Sequence, residues 1–291
     1  MKVIITIPAY NEEKTITPVI KELKDLMRGL PYEFEILVVN DGSEDKTVKV
    51  AENAGAIVYS NKKNLGLADT FKHEMKRCKE HNADIIVHTD ADGQYPAKYI
   101  PPMIEKIIAG ADLVLGCRFE KGQYSGSKMK SMGNKMFARA FSKLLKTKLT
   151  DTTTGFRVFT REVAELPLIN SFTYTQEQLI RAGKANMKIE EIPITTRETR
   201  PSKLFNNPFE YAIKAWINIL RIYRDFEPLK FFGRIGITLI VLGGILGLYI
   251  LGRIIVLGTA GGIPRVVLSA LLILTGIQII SFGFLADMQR K

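Results

Sequence analysis

Residues 84–96 read DIIVHTDADGQYP, and they decide the fold. Asp84 to His88 is a short run rich in β-branched residues, which predicts a buried strand. It breaks into the polar turn Thr89-Asp90-Ala91-Asp92-Gly93-Gln94. The same strand-then-polar-turn unit recurs on both sides. Val3 to Ile7 runs into PAYNEE, Phe34 to Val39 into NDGSED, and Asp112 to Gly116 into GCRF, with a further short strand at Ile57 to Tyr59. Helical spacing fills the gaps: Ile16, Val19, Ile20, Leu23, Leu26 and Met27, then about 45–54 up to Gly55, 67–81, and 97–109. Strands alternating with helices predict a parallel sheet with right-handed crossovers. Such sheets bind ligands at the carboxyl ends of their strands, where the polar turns fall.

The turn chemistry narrows the ligand. No GxGxxG follows the first strand and no GxxxxGK[ST] occurs, so dinucleotide and P-loop readings fail. Side chains two apart in extended chain point the same way, so Asp90 and Asp92 can converge on one hard cation, Mg²⁺ or Mn²⁺. Gln94 could add a ligand or a hydrogen bond. An Asp-Gly turn is also an ordinary solvated turn. With Asp41 placed likewise at the end of an earlier strand, the pattern points to a nucleotide-diphosphate site.

The 291 residues carry 41 Lys plus Arg against 30 Asp plus Glu, a net charge of +11 that calls for an anionic partner. Two cysteines, Cys78 and Cys117, make no disulfide framework and no zinc pair. The average hides a division, because after Glu227 the only acidic residue is Asp287. Residues 235–258 and 266–286 form two apolar runs, and spanning a bilayer takes ~20 such residues. Arg253 sits near the end of the first run, and TAGGIPR turns the chain between them. Lys214, Arg221, Arg224, Lys230 and Arg234 precede the first run and Arg290 and Lys291 follow the second, so the positive-inside rule places both ends in the cytoplasm. MKVIITIP is too short an apolar run for a signal peptide, which keeps the first ~230 residues on the same side. The expected location is a cell membrane crossed twice, with a cytoplasmic catalytic domain.

PAYNEE, VVNDGSEDKT, NLGLADTF, TDADGQYP and DTTTGFRVF stand in this order. Together they resemble the family 2 glycosyltransferases, in particular the dolichyl- and polyprenyl-phosphate sugar transferases. The likeness covers about residues 2–205. It implies a GT-A-type α/β domain with a mostly parallel sheet over 1–205; the residue patterns beyond it predict an interfacial amphipathic helix and linker over 206–233 and a transmembrane hairpin over 234–291, which fits family members with two C-terminal spans. It implies transfer of one sugar, with inversion, from GDP-mannose or a UDP-hexose to dolichyl or polyprenyl phosphate. By the resemblance Pro8, Tyr10, Glu12 and Asp41 line the base and ribose site, and Gly66 lies beside the nucleotide. Asp90, Asp92 and Gln94 surround the metal and diphosphate, and Arg118 faces the mouth of the site. Asp151 stands near the reacting centre and Arg157 contacts phosphate. Arg197, Arg200, Ser202 and Lys203 occupy the place of a cluster that meets the acceptor phosphate. FTYTQEQLIRAG departs from the mannose synthase pattern, since only Glu177 is acidic where some relatives carry several carboxylates.

The acceptor gives the positive charge a purpose. A polyprenyl phosphate is already an anionic nucleophile at pH 7, so it needs positioning and neutralisation more than a strong base. Arg grips phosphate bidentately and Lys acts as a point charge. Two stretches read as lying in the membrane surface. Phe209, Ile213, Trp216, Leu220 and Tyr223 follow helical spacing, and residues 128–148 hold seven basic and no acidic residues. A processive polysaccharide synthase is a weaker reading, because the only Trp is Trp216 and no QxxRW is present. An inactive nucleotide- or lipid-binding scaffold would be expected to lack a site carboxylate, yet Asp41, Asp90, Asp92 and Asp151 all stand. Nucleic acid is excluded as a partner for want of any recognised module. The sequence is compatible with a homo-oligomer but does not fix one.

Overall fold

The computed structural model describes residues 1–118, 138–139, 141–142, 145, 147–168, 174–197, 217, 220–221 and 223–289. The chain divides into two compact units, Met1–Leu204 and Phe205–Lys291. Arg200, Ser202, Lys203 and most of the 128–148 and 206–222 stretches lie outside the described residues.

In the first unit the strands are β1 (Lys2–Ala9), β2 (Glu33–Asn40), β3 (Ile57–Ser60), β4 (Ile85–His88), β5 (Leu113–Cys117), β6 (Arg157–Thr160) and β7 (Ile189–Pro193). The helices between them are α1 (Ile16–Arg28), α2 (Thr47–Asn53), α3 (Leu67–Glu80), α4 (Ile100–Ile108), α5 (Arg161–Ala164) and α6 (Tyr174–Lys184). The seven strands form one sheet in the order β3-β2-β1-β4-β6-β5-β7. Both faces are covered, which is why the strands read as unbroken apolar runs rather than alternating ones. Val3, Ile5 and Ile7 face the cluster that takes Ile16, Ile20 and Leu23 of α1 and Met103 and Ile104 of α4. On the opposite face Phe71 of α3 meets Phe159 of β6 and Tyr174 of α6, ring to ring. Each fully buried aliphatic side chain contributes about 1.5–3 kcal/mol.

Two local expectations are corrected. Pro8 does not end the first strand but sits inside it, opposite Val39. The β1–β4 ladder covers only Val3 to Thr6, so the N–H that proline lacks falls past its end. The stretch RVFT, read only as part of a charged motif, is strand β6, and it runs antiparallel to both β4 and β5. Its reversal carries the loop before it to the edge where the parallel strands end.

The second unit contains α7 (Pro228–Leu257) and α8 (Ile263–Met288), joined by a turn in which Gly258, Gly261 and Gly262 take positive φ. Both helices are long and apolar enough to cross a membrane. Gly236, Gly243 and Ile250 of α7 and Ser269, Gly276 and Gly283 of α8 are buried at seven-residue intervals. A Cβ on Gly236 would stand 2.5 Å from the Gly276 carbonyl oxygen, and one on Gly276 2.6 Å from that of Gly236. The Ser269 hydroxyl donates across to the Gly243 carbonyl at 2.8 Å. Close backbone approach at small residues, with a polar cross-link, is how apolar helices associate where burial from water gives no drive.

Candidate active site

The carboxyl edge of the sheet collects two groups of side chains. The first is built on the turns after β1, β2 and β3. The turn after β1 is laced to the turn after β2. The backbone N–H of Asn11, at positive φ, donates to Ser43 Oγ (2.9 Å), and Glu44 N–H donates back to Asn11 Oδ1 (2.9 Å). Glu12 N–H donates to Thr47 Oγ1 (2.8 Å). The Glu12 carboxylate accepts from Thr15 Oγ1 (2.7 Å), and its carbonyl takes the first N–H groups of α1. Glu12 thus starts the helix as well as flanking the cleft. Tyr10 stands exposed at the rim. Gly42, at φ +71°, is required because a Cβ there would lie 2.6 Å from the Lys63 carbonyl carbon.

Asp41 is the centre of this half. Its Oδ1 accepts from Asn61 Nδ2 and Leu65 N–H, and its Oδ2 from Gly66 N–H, each at 2.9 Å. A carboxylate offers about four acceptor directions, so three are filled by the loop after β3 and a further one remains on Oδ2. Gly66, at φ +88°, has nothing within 4 Å of where a Cβ would stand.

The second group follows β4, β5 and the loop into β6. Asp90 and Asp92 leave the end of β4 half-buried, and Asp92 Oδ1 accepts from Gln94 N–H at 2.9 Å. Burial, with the Asp92 charge adding to it, pushes Asp90 up to about 6. Asp151, wholly buried, receives the Arg118 guanidinium in a two-point grip, Nε to Oδ2 at 2.7 Å and Nη2 to Oδ1 at 3.1 Å. Arg118 also binds Thr153 Oγ1 at 2.9 Å. Burial opposes its charge, but the acidic groups around it hold its pKa above the ordinary arginine value. Tyr95 is stacked on Phe156 with rings 5.1 Å apart, and burial raises its phenol to about 12.

Arg157 is wholly enclosed. Its guanidinium donates to the carbonyls of Thr175 (3.0 Å) and Thr154 (2.5 Å) and to Gln178 Oε1 (2.9 Å). Burial lowers its pKa to about 10, so it stays charged at neutral pH. It ties α6 to the loop that carries Asp151. Arg197 lies at the same edge. Its backbone N–H donates to the Gln94 carbonyl (2.9 Å), while its guanidinium forms an exposed two-point pair with Glu22 at 2.7 and 2.8 Å.

Several supports escaped the sequence. Glu191 of β7 accepts from the backbone N–H groups of Thr150 (2.9 Å) and Asp151 (3.0 Å) and from Thr150 Oγ1 (2.6 Å). Burial raises its pKa despite these donors. Glu74 and His88, both fully buried, pair at 3.1 Å behind β4, and His88 Nε2 lies 3.3 Å from the Tyr174 hydroxyl. Burial pushes Glu74 up while His88 pulls it down. A polar residue closing an otherwise apolar strand was the only signal for His88; Glu74, in a helix rich in charges, and Glu191 carried none.

Asp90 and Asp92 supply hard oxygen donors suited to Mg²⁺ or Mn²⁺. Gly155 keeps the approach open, since a Cβ there would stand 3.2 Å from Asp90 Oδ1. Among the described residues no group of three or more His, Cys, Asp or Glu converges. A divalent ion here would therefore take two carboxylates and complete its shell from substrate phosphate and water, as Mg²⁺ commonly does.

Residues 4–166 match the family model described as glycosyl transferase family 2. A dolichyl-phosphate hexose transferase of Haloferax volcanii is 31% identical over 220 residues, covering 75% of this chain and 92% of that protein. A bactoprenol glucosyl transferase of Shigella phage SfX is 28% identical over 294 residues, covering 99% of this chain and 93% of the relative. Glucosyl-3-phosphoglycerate synthase of Mycobacterium tuberculosis, solved with Mn²⁺, UDP-glucose and phosphoglyceric acid, shares the fold at a TM-score of 0.59 and 20% identity, over 75% of this chain and 79% of that one. Because that family match covers more than half of the chain, the chain belongs to glycosyl transferase family 2 and is a glycosyltransferase.

Proposed function

We propose that this protein transfers a single hexose from a nucleoside-diphospho-sugar to a polyprenyl or dolichyl phosphate at a membrane surface. The observation that carries the reading is the convergence of Asp90, Asp92, Asp151 and Arg118 at one sheet edge, in a chain that also holds two helices apolar enough to span a bilayer. The names of the relatives support the lipid acceptor.

The parts divide the work. Asp41 and the loop at Gly66 receive the nucleoside. Asp90 and Asp92 would hold a divalent ion, which would supply Lewis-acid stabilisation of the leaving diphosphate. An oxygen of the lipid phosphate bonds to the anomeric carbon from the opposite side. The bond from that carbon to the diphosphate breaks, and the nucleoside diphosphate leaves with the electron pair, so configuration inverts. The acceptor is ionised beforehand, so no general base is required; Asp151, paired with Arg118, positions groups at the reacting centre rather than taking a proton. Arg197, with Arg200, Ser202 and Lys203, is the proposed contact for the acceptor phosphate. The two apolar helices are the proposed membrane spans, with both chain ends on the cytoplasmic side.

The test is to incubate the full-length protein in detergent with polyprenyl phosphate, Mg²⁺ or Mn²⁺, and labelled UDP- and GDP-hexoses. One donor should yield a lipid-linked sugar. Chelation should abolish it, and Asp92→Ala should lower turnover by about a thousandfold or more, the scale of a lost electrostatic contact to the transition state. Absence of transfer from every donor, or full turnover by Asp92→Ala, sinks the proposal.

A further inference from the structure

A chain of hydrogen bonds runs from the face of α3 into the nucleoside half of the site, and its direction is fixed by chemistry. Arg77 Nε–H donates to His73 Nε2 at 3.0 Å. A guanidinium can only donate, so Nε2 is an acceptor and the neutral ring carries its proton on Nδ1. Nδ1 lies 2.8 Å from Asn61 Oδ1. With its oxygen engaged there, Asn61 turns its Nδ2 to Asp41 Oδ1 at 2.9 Å. Each link leaves one polarity for the next. A reversed Asn61 amide would set a carbonyl against the Asp41 carboxylate and an N–H against the His73 N–H, two mismatches at once.

The start of the chain is held in place. The Arg77 guanidinium lies 4.2 Å over the Tyr59 ring and pairs with Glu80 at 2.7 Å. His73 itself is 6.4 Å from Tyr59, centroid to centroid. Burial first, then the Arg77 and Lys76 charges, lowers the imidazole pKa, consistent with a ring bearing one proton.

We propose that Arg77, His73 and Asn61 form a positioning relay that sets the orientation in which Asp41 accepts the nucleoside of the donor. The inference rests on the glycosyl-transfer reading above. His73 touches no substrate. It acts by holding the Asn61 amide, which with Leu65 N–H saturates Asp41 Oδ1 and leaves Oδ2 to face the ligand.

The experiment uses the full-length protein in detergent with Mn²⁺, titrated calorimetrically with UDP and GDP and assayed for transfer. Losing the half-buried donor in His73→Leu should weaken binding of the preferred nucleoside diphosphate about tenfold. The KM for the sugar donor should rise in step while kcat stays within about twofold, the pattern of lost ground-state binding. His73→Asn, whose amide N–H falls near the place of Nδ1, should restore affinity to within about threefold. The double variant Asp41→Asn/His73→Leu should bind no worse than Asp41→Asn alone, because both act through one carboxylate. Arg77→Met, on the half-exposed side of α3, guards against a folding defect at His73 and should weaken binding about threefold. The relay is overturned if His73→Leu or Arg77→Met binds as the wild type does, if His73→Asn fails to rescue, or if the double variant shows the product of both losses. If the wild type binds neither nucleotide, the glycosyl-transfer reading falls and the relay with it. Binding by the wild type together with unchanged binding by His73→Leu removes the relay alone.

Discussion

Asp41 and Asp151 sit at the same edge of one sheet, nearly or wholly buried, and each is satisfied by different means. Asp41 is surrounded by neutral donors, two backbone N–H groups and one amide, all from the loop after β3. Asp151 is answered by a full charge, Arg118, and its loop is underpinned by a second buried cation, Arg157. The half around Asp41 is thus a set of short turns stitched together by neutral donors. The half around Asp151 is centred on a buried ion pair, with Glu191 bracing the Asp151 loop through neutral donors from Thr150 and Asp151. Neutral donors hold a carboxylate without fixing a counter-ion in the site. Paired charges build a preorganised field in a region shielded from water, at the cost of desolvation.

Removing a partner separates the two designs most sharply. Arg118→Met leaves the wholly buried Asp151 without its cation, and breaking a buried pair from one side costs about 3–5 kcal/mol. Urea unfolding of the full chain should show a loss of this size, with transfer lost as well. Replacing both partners together, Arg118→Met with Asp151→Leu, should recover much of the stability but none of the activity. A single variant as stable as the wild type would mean that the pair is already solvated, and the contrast with Asp41 would disappear.

The half around Asp41 should respond more mildly. Thr47→Val removes the hydroxyl that accepts Glu12 N–H and donates to the Asp45 carboxylate, and losing these bonds costs about 1–3 kcal/mol. The same denaturation series reads it, and a loss as large as that of Arg118→Met would show that the stitched turns are as charge-dependent as the other half.

This contrast also explains what could be read beforehand. The turns after β1, β2 and β4 were legible because each carboxylate lies within a few residues of the strand end that presents it. Asp41 and Asp92 therefore announce themselves locally. Arg157 was legible as a charge but not in its direction, because β6 reverses the chain and the guanidinium is buried against α6 and the Thr154 carbonyl. That reversal is a property of pairing between β4 and β5, residues far away in sequence. Glu191 meets Asp151 across 40 positions, and His88 meets Tyr174 across 86, distances over which no periodicity carries information. The hairpin was legible from composition. Its seven-residue interlock of Gly236, Gly243, Ser269, Gly276 and Gly283 needed the two helices side by side.

The smallest expected effect lies where the segment after β7 meets the paired-aspartate turn, and it asks whether Arg197 is a structural tie or a phosphate contact. The Arg197 hydrogen bonds, then the Ala97 N–H and the Arg197 charge, hold the Glu22 pKa below its ordinary value despite partial burial. Stability from a carboxyl lowered in the folded state is present above its unfolded value near 4.5 and is lost as pH falls through the lowered value. The pair is substantially exposed, so it is worth only ~0.5 kcal/mol. As a tie alone, Arg197→Met should lower the thermal midpoint slightly at pH 7, match the wild type towards pH 3, and leave the KM for the lipid acceptor unchanged. As a phosphate contact, Arg197 must release Glu22 when the acceptor binds. The KM for polyprenyl phosphate should then rise about tenfold in Arg197→Met, as expected of a lost charge-assisted contact, while Glu22→Gln lowers it. A midpoint difference that persists at acid pH would show that the Glu22 carboxylate is not what the arginine is holding.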